Sequence, residues 1–179
     1  MLVVEVPERE HFDDATNTFL VYPAETLKLE HSLVSLSKWE SKWEKPFISK
    51  GEKSPEETLD YIRSMTLNSV SDRVYSNLTT LEIDQISKYI DSPMTATTFS
   101  ENGQPDKNRE MVTSELIYYW MIALSVPVEF ENWHLNRLLT LIRVCNIKNT
   151  PPKKASKREI LNRNRNLNAA RKQKLGTTG

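Results

Sequence analysis

At Pro151 the chain changes sign. Residues 151–179 hold nine basic side chains (Lys153, Lys154, Lys157, Arg158, Arg163, Arg165, Arg171, Lys172 and Lys174) against a single acid, Glu159, a net charge of +8. The other 150 residues hold 15 basic and 23 acidic side chains, a net charge of −8. An overall charge of zero therefore conceals an acidic body, residues 1–150, and a basic C-terminal arm, residues 151–179. The polar, proline-containing run Asn149-Thr150-Pro151-Pro152-Lys153-Lys154 marks the boundary between them.

Only four glycines occur in 179 residues, well below the usual ~7%. That shortage disfavours tight-turned β architectures and glycine-rich phosphate loops, and it favours helices. Hydrophobic residues at 38% and charged residues at 27% are compatible with a folded core. The expected fold is α+β and mainly helical, with a small N-terminal antiparallel sheet over residues 1–31 and a helical body over 32–150. Leu2–Val6 and Thr18–Tyr22 read as strands joined through the turn-forming residues 13–17, and Thr26–His31 alternates apolar and polar as a third.

Helix signals follow in order. Ser32 precedes the stripe Leu33, Leu36, Trp39 and Trp43, which stops at Lys45-Pro46. Ser54-Pro55-Glu56-Glu57 combines a serine cap, a first-turn proline and first-turn acids, opening a helix to about Thr66. Thr79 and Glu82 have capping-box spacing ahead of a helix that ends at Asp91-Ser92-Pro93. Met94–Asp106 has no period and reads as a long loop. A helix from about Lys107 to Ser125 is apolar nearly all round, which predicts a central, enclosed helix. With a further helix over Glu129–Asn146 it is expected to form an antiparallel hairpin and the core. In the arm, Ser156 can cap a marginal helix from Lys157 that stops at Gly176.

No catalytic constellation stands out. His11, His31 and His134 are scattered without metal-ligand spacing, and Cys145, the only cysteine, lies on the apolar stripe of its helix and reads as packing. Glu40-Ser41-Lys42 has the Glu-x-Lys spacing of some metal-dependent nucleases. It falls on a predicted helix rather than a strand, where an exposed pair is the default. Trp39 and Trp43, four apart, face one side of their helix. Either they close the core against the region of Trp120 or Trp133, or they form an aromatic anchor for a protein partner. The arm's Lys and Arg suit either phosphates or an acidic protein surface. Residues 147–179 contain no aromatic side chain to stack on a base, which favours protein. No apolar run reaches the ~18 residues of a membrane span. The N-terminus lacks a signal-peptide pattern and the lone cysteine forms no internal disulfide, so a reducing cytoplasm is expected.

Four stretches resemble a known family: Glu30–Trp43 (EHSLVSLSKWESKW), Glu57–Arg63 (ETLDYIR), Ile117–Leu124 (IYYWMIAL) and Trp133–Cys145 (WHLNRLLTLIRVC), with the end at Asn168-Ala169-Ala170-Arg171. They are similar to the tail assembly chaperones of tailed bacteriophages, along nearly the whole chain. The resemblance implies a non-catalytic protein in the bacterial host cytoplasm that needs no cofactor or metal. Such a protein coats the helical tape-measure protein and keeps it soluble until tail-tube subunits polymerise. Trp39 and Trp43 are then the first candidate partner-binding residues. The arm, through Lys153, Lys154, Lys157, Arg158, Arg163, Arg165, Arg171 and Lys172, is the second candidate, with tube subunits as its expected partner. A homo-oligomer is a further expectation. Two rivals stay open: a virion structural or head–tail joining protein, and a nucleic-acid-binding accessory protein acting through the arm.

Overall fold

The computed structural model describes residues 1–14, 17–49, 51–99, 111–151 and 157–176. Among them the fold is α+β and mainly helical, with seven α-helices and two short antiparallel strand pairs. The chain divides into two compact units, Met1–Asn146 and Ile147–Gly179.

The first unit opens with a long hairpin. Strand β1 (Leu2–Val6) pairs with β4 (Glu25–Leu29), and β2 (Arg9–Asp13) pairs with β3 (Thr18–Tyr22). Both pairs lie in one unbroken register, so Pro7 falls opposite Ala24 and Glu8 opposite Pro23. Proline lacks the N–H that a ladder needs, which accounts for the interruption at that level. Period-2 alternation decides the inner half: Val4, Val6, Leu27 and Leu29 are buried while Val3, Glu5, Thr26 and Lys28 face out. The free edge of β4 is covered by the segment that follows the second helix. Leu67 N–H donates to the Lys28 carbonyl at 2.8 Å, and the Asn68 side chain both accepts from Lys28 N–H and donates to the Thr26 carbonyl. That closes an edge otherwise open to intermolecular pairing.

Local capping chemistry sets the helices. α1 (Leu33–Trp43) is capped by Ser32, whose hydroxyl accepts from Ser35 N–H while Ser35 reciprocates. α2 (Pro55–Met65) carries the expected Ser54 cap and first-turn proline, and Glu57 completes a capping box with Ser54. A short α3 (Arg73–Ser76) precedes α4 (Thr80–Asp91), which has the expected Thr79/Glu82 box. Glu82 also receives Arg9 at 2.7 Å, so this carboxylate joins β2 to the start of α4.

Two apolar clusters form the unit's interior, and both use α1. Trp39 belongs to the first, with Val4, Val6, Leu27, Leu29, Ile62, Met65 and Ile86. Leu33 and Leu36 belong to the second, with residues of α5 (Ser114–Ala123) and α6 (Leu135–Asn149): Ile117, Met121, Leu135, Leu138 and Ile142.

Three expectations are corrected here. α5 starts at Ser114, where the Thr113 hydroxyl accepts from Leu116 N–H, and residues 111–113 are not helical; the expected start at Lys107 lies outside the described residues. It is not enclosed either, because only its inner side meets α1 and α6, and Tyr119 and Ile122 stand in solvent. Nor is its link to α6 a short turn. Ser125 takes a left-handed conformation, and Val128–Asn132 coil as a 3₁₀ helix in which Phe130 stacks on Trp133 at 4.0 Å. The second cluster is completed by α1 rather than by an α5–α6 hairpin alone. β2, with its sequence Arg-Glu-His-Phe-Asp, was not expected as a strand. Of the loop expected over Met94–Asp106, residues 100–106 lie outside the described residues.

In the second unit α7 (Lys157–Leu175) ends at Gly176, whose φ of 66° is the left-handed stop expected of that glycine. Because Leu36 is fully buried in the second cluster, Leu36→Ala is expected to lower stability by about 2–5 kcal/mol in urea unfolding. Leu81→Ala on α4, at a residue 76% exposed, is expected to change it by less than about 0.5 kcal/mol.

Candidate functional site

The tryptophans of α1 separate. Trp39 is 2% exposed, its indole N–H donates to the Glu57 carbonyl at 2.9 Å, and its ring packs edge-on to Phe47 at 5.1 Å. It is a core residue, and as a partner-binding anchor it is corrected. Its neighbours are Phe47 and the first cluster, not Trp120 or Trp133. Trp43 is half-buried, stacks against Trp39 at 6.1 Å, and donates its indole N–H to Asp60 Oδ2 at 2.9 Å. Lys42 and Lys45 lie 5.8 and 5.7 Å from the centre of its ring. The two lysines are themselves held, Lys42 on Asp60 and Lys45 on Glu57 at 2.6 Å. Those contacts hold both carboxyls below the ordinary carboxylate range; burial opposes the shift at Asp60, where the hydrogen bonds from Lys42 and Trp43 prevail.

Glu40 is buried, and its two oxygens accept the backbone N–H groups of Phe47 and Ser114, each at 2.7 Å. The Ser114 N–H is one of the unpaired donors at the start of α5, where a carboxylate is favoured by both hydrogen bonding and the helix dipole. Glu40 and Lys42 therefore have structural partners on different sides of α1. No group of three or more His, Cys, Asp or Glu placed to hold a metal occurs among the described residues.

Two histidines that look unrelated in sequence meet inside the unit. His31 and His134 are buried with ring centres 5.0 Å apart. His31 Nδ1 lies 2.5 Å from the Tyr61 hydroxyl, and His134 Nε2 donates to the Tyr89 carbonyl at 3.0 Å. That leaves His134 Nδ1 buried without a hydrogen-bond partner. The Tyr89 hydroxyl in turn donates to Glu30 at 2.6 Å. Burial, reinforced by the neighbouring His134, lowers the His31 pKa to about 3. Burial lowers His134 as well, against an opposing hydrogen bond to Tyr89. Sequence spacing carries no trace of this pairing, because 103 residues separate the two rings.

Among the described residues of the first unit, apolar surface is open on α5, on the outer half of the hairpin and at a cavity between α2 and α4. Tyr119 and Ile122, one turn apart on the outer side of α5, are 63% and 78% exposed, with Ala123 beside them and Met111 and Val128 exposed at the two flanks. From Met111 to Asn136 there is no Lys or Arg; the charges are Glu115, Glu129 and Glu131. At the outer half of the hairpin, Phe12 and Phe19 pair edge-on across the strands at 5.1 Å, both exposed, with Leu20 and Val21. Between α2 and α4 lies a cavity of about 130 Å³ lined by Phe47, Tyr61, Ile62, Ile83, Ile86 and Ile90. Lys53 lines it too, its ammonium 4.1 Å from the Phe47 ring centre. Cofactor pockets run to about 300–1,000 Å³, so this one suits a single side chain.

Of the arm's predicted residues, Lys157, Arg158, Arg163, Arg165, Arg171 and Lys172 all lie exposed on α7; Lys153 and Lys154 lie outside the described residues. Cys145 is half-buried. No described helix is long and apolar enough to cross a membrane. Compared with protein-family models, curated proteins and solved structures, the chain matches none.

The buried histidine pair sets a pH dependence. The unfolded chain protonates His31 near 6.5, the folded chain only near 3, so protons favour unfolding throughout that interval. Stability is therefore complete above about pH 6.5 and is lost progressively as pH falls. From about pH 7 to about pH 5 the loss attributable to His31 is about 2 kcal/mol. Urea titrations across that range measure it, and His31→Gln is expected to flatten the profile.

Proposed function

We propose that this chain is a non-catalytic binding protein that covers exposed apolar helical surface on another protein. In its specific form the proposal is a tail assembly chaperone that holds the tape-measure protein soluble during tail morphogenesis. The observation that carries it is the outer side of α5. A ten-residue helix with a stretch as apolar as Leu-Ile-Tyr-Tyr-Trp-Met-Ile-Ala would ordinarily be surrounded by its own fold, yet Tyr119 and Ile122 stand uncovered. Contiguous exposed apolar surface of this kind marks an interaction site.

Spacing fits a helical client. Two apolar side chains at i and i+3 present a ridge that packs against a partner's apolar stripe, as in helix-in-groove recognition. Burying both is worth about 3 kcal/mol before the costs of association, enough to select apolar over polar helices but not to hold one irreversibly. Reversible cover is what a factor displaced by tube subunits needs. Glu115, one turn before Tyr119 on the same side of α5, favours a client whose stripe is bordered by Lys or Arg.

The test is co-expression of the full chain with the tape-measure protein, followed by co-purification and mass spectrometry of finished particles. A soluble complex is expected, with this chain missing from the particles. Tyr119→Asp with Ile122→Asp is expected to weaken the complex by about tenfold or more while leaving the melting temperature unchanged, because neither side chain supports the core. Absence of a complex, with the chain present in particles at fixed copy number, would make it a structural component instead.

A further inference from the structure

Between α2 and α4 a single cation stands in an otherwise apolar groove. Ile83, Ile86 and Ile90, spaced by three and four, line it from α4 over about 10 Å, and Tyr61 and Ile62 line it from α2. The cavity of about 130 Å³ at this end adjoins a more open depression of about 370 Å³, lined by Leu59, Tyr75 and Leu78. Lys53, Thr58 and Ile83 line both, so they stand where the two meet. The Lys53 ammonium lies 4.1 Å from the Phe47 ring centre and 6.0 Å from that of Trp39. Among the described residues it forms no ion pair. Glu57, the acid that attracts it, already accepts from Lys45 at 2.6 Å and from the Ser54 N–H at 2.8 Å. Burial lowers the Lys53 pKa, the mark of an ammonium partly stripped of water.

We propose that the groove between α2 and α4 docks a helix of a partner protein whose apolar stripe carries one carboxylate at its middle. The partner's apolar side chains enter the two depressions, and its carboxylate meets Lys53 where they join. Charge complementarity selects this occupant. Lys53 is the only charged residue among the described residues lining either depression. A single carboxylate supplies its missing counterion, and apolar side chains on both sides of the pair exclude water from it. A nucleic-acid backbone is held by several cations in a row, and this groove offers one. At about 130 Å³ the cavity takes one side chain rather than a free small molecule. The groove walls are helices, whose backbone groups are paired internally. An extended chain would leave its own N–H and C=O groups unmatched here, whereas a helix brings its hydrogen bonds with it. Seven residues of helix span about 10 Å, the length from Ile83 to Ile90, so apolar residues at i and i+7 flank an acid at i+3. The assignment uses α2, α4 and Lys53, and stands or falls separately from the role given to α5.

The test is fluorescence anisotropy of the full-length chain with a labelled synthetic helix about two heptads long, carrying Leu, Glu and Leu at i, i+3 and i+7. Measurements are made at about 0.15 M salt, with octanoate and inorganic phosphate as competitors and sedimentation of the chain alone in parallel. Saturable peptide binding is expected. Lys53→Glu should weaken it by about tenfold or more, and a peptide with Lys in place of its Glu should recover binding to that variant. Ser87→Trp fills the mouth of the cavity from an exposed position of α4 and should weaken binding to a similar degree. Lys28→Glu, the same charge change on the outward side of β4, should leave it unchanged. The inference is overturned if the peptide does not bind, or if neither Lys53→Glu nor Ser87→Trp weakens it. Displacement of the peptide by an equal concentration of octanoate or phosphate overturns it too, as does self-association of the chain that Lys53→Glu abolishes. Far-UV circular dichroism of each variant checks that the body remains folded.

Discussion

Everything in the first unit is arranged around α1, because neither apolar cluster closes without it. Trp39 completes the cluster under the hairpin and α2, while Leu33 and Leu36 complete the one shared with α5 and α6. The Glu40 carboxylate ties the two together from within, one oxygen on the loop after α1 and the other on the first turn of α5. A buried carboxylate is tolerable only when such donors replace its water, and here two backbone N–H groups do so. Placing α5 by its N-terminus leaves its outer side where none of the described residues covers Tyr119 and Ile122.

That geometry connects the fold to the proposed function. A helix held by its first turn and inner face is presented rigidly, so Tyr119 and Ile122 form a fixed ridge rather than a loose apolar tail. Preorganisation of this kind lowers the ordering cost of binding. The two units also divide the charge: the first presents the exposed apolar ridge on α5, and the second the exposed lysines and arginines of α7.

What was legible in the sequence is what depends on neighbours in sequence. The Ser54 cap, the capping box at Thr79/Glu82, the first-turn Pro55 and the stop at Gly176 are each decided within a turn of helix, and each appears where the spacing places it. The strands at Leu2–Val6 and Thr18–Tyr22 follow from local propensity in the same way. β2 was hidden because its residues are mostly polar; it is a strand because the register of β1 with β4 carries across the proline break. The burial of Trp39 beside Phe47, the open side of α5 and the meeting of His31 with His134 depend on residues far apart in the chain. An all-round apolar helix reads as enclosed by periodicity alone, since the pattern gives the amount of apolar surface and not what stands against it.

The most direct measurement is hydrogen–deuterium exchange on the full chain, free and in complex with co-expressed tape-measure protein. If the ridge on α5 is the binding surface, amides of Ser114–Ala123 and the adjoining 3₁₀ helix slow markedly in the complex, while those of the paired strands β1 and β4 do not change. A complex that forms with the exchange of α5 unaltered would contradict the account and place the interface elsewhere.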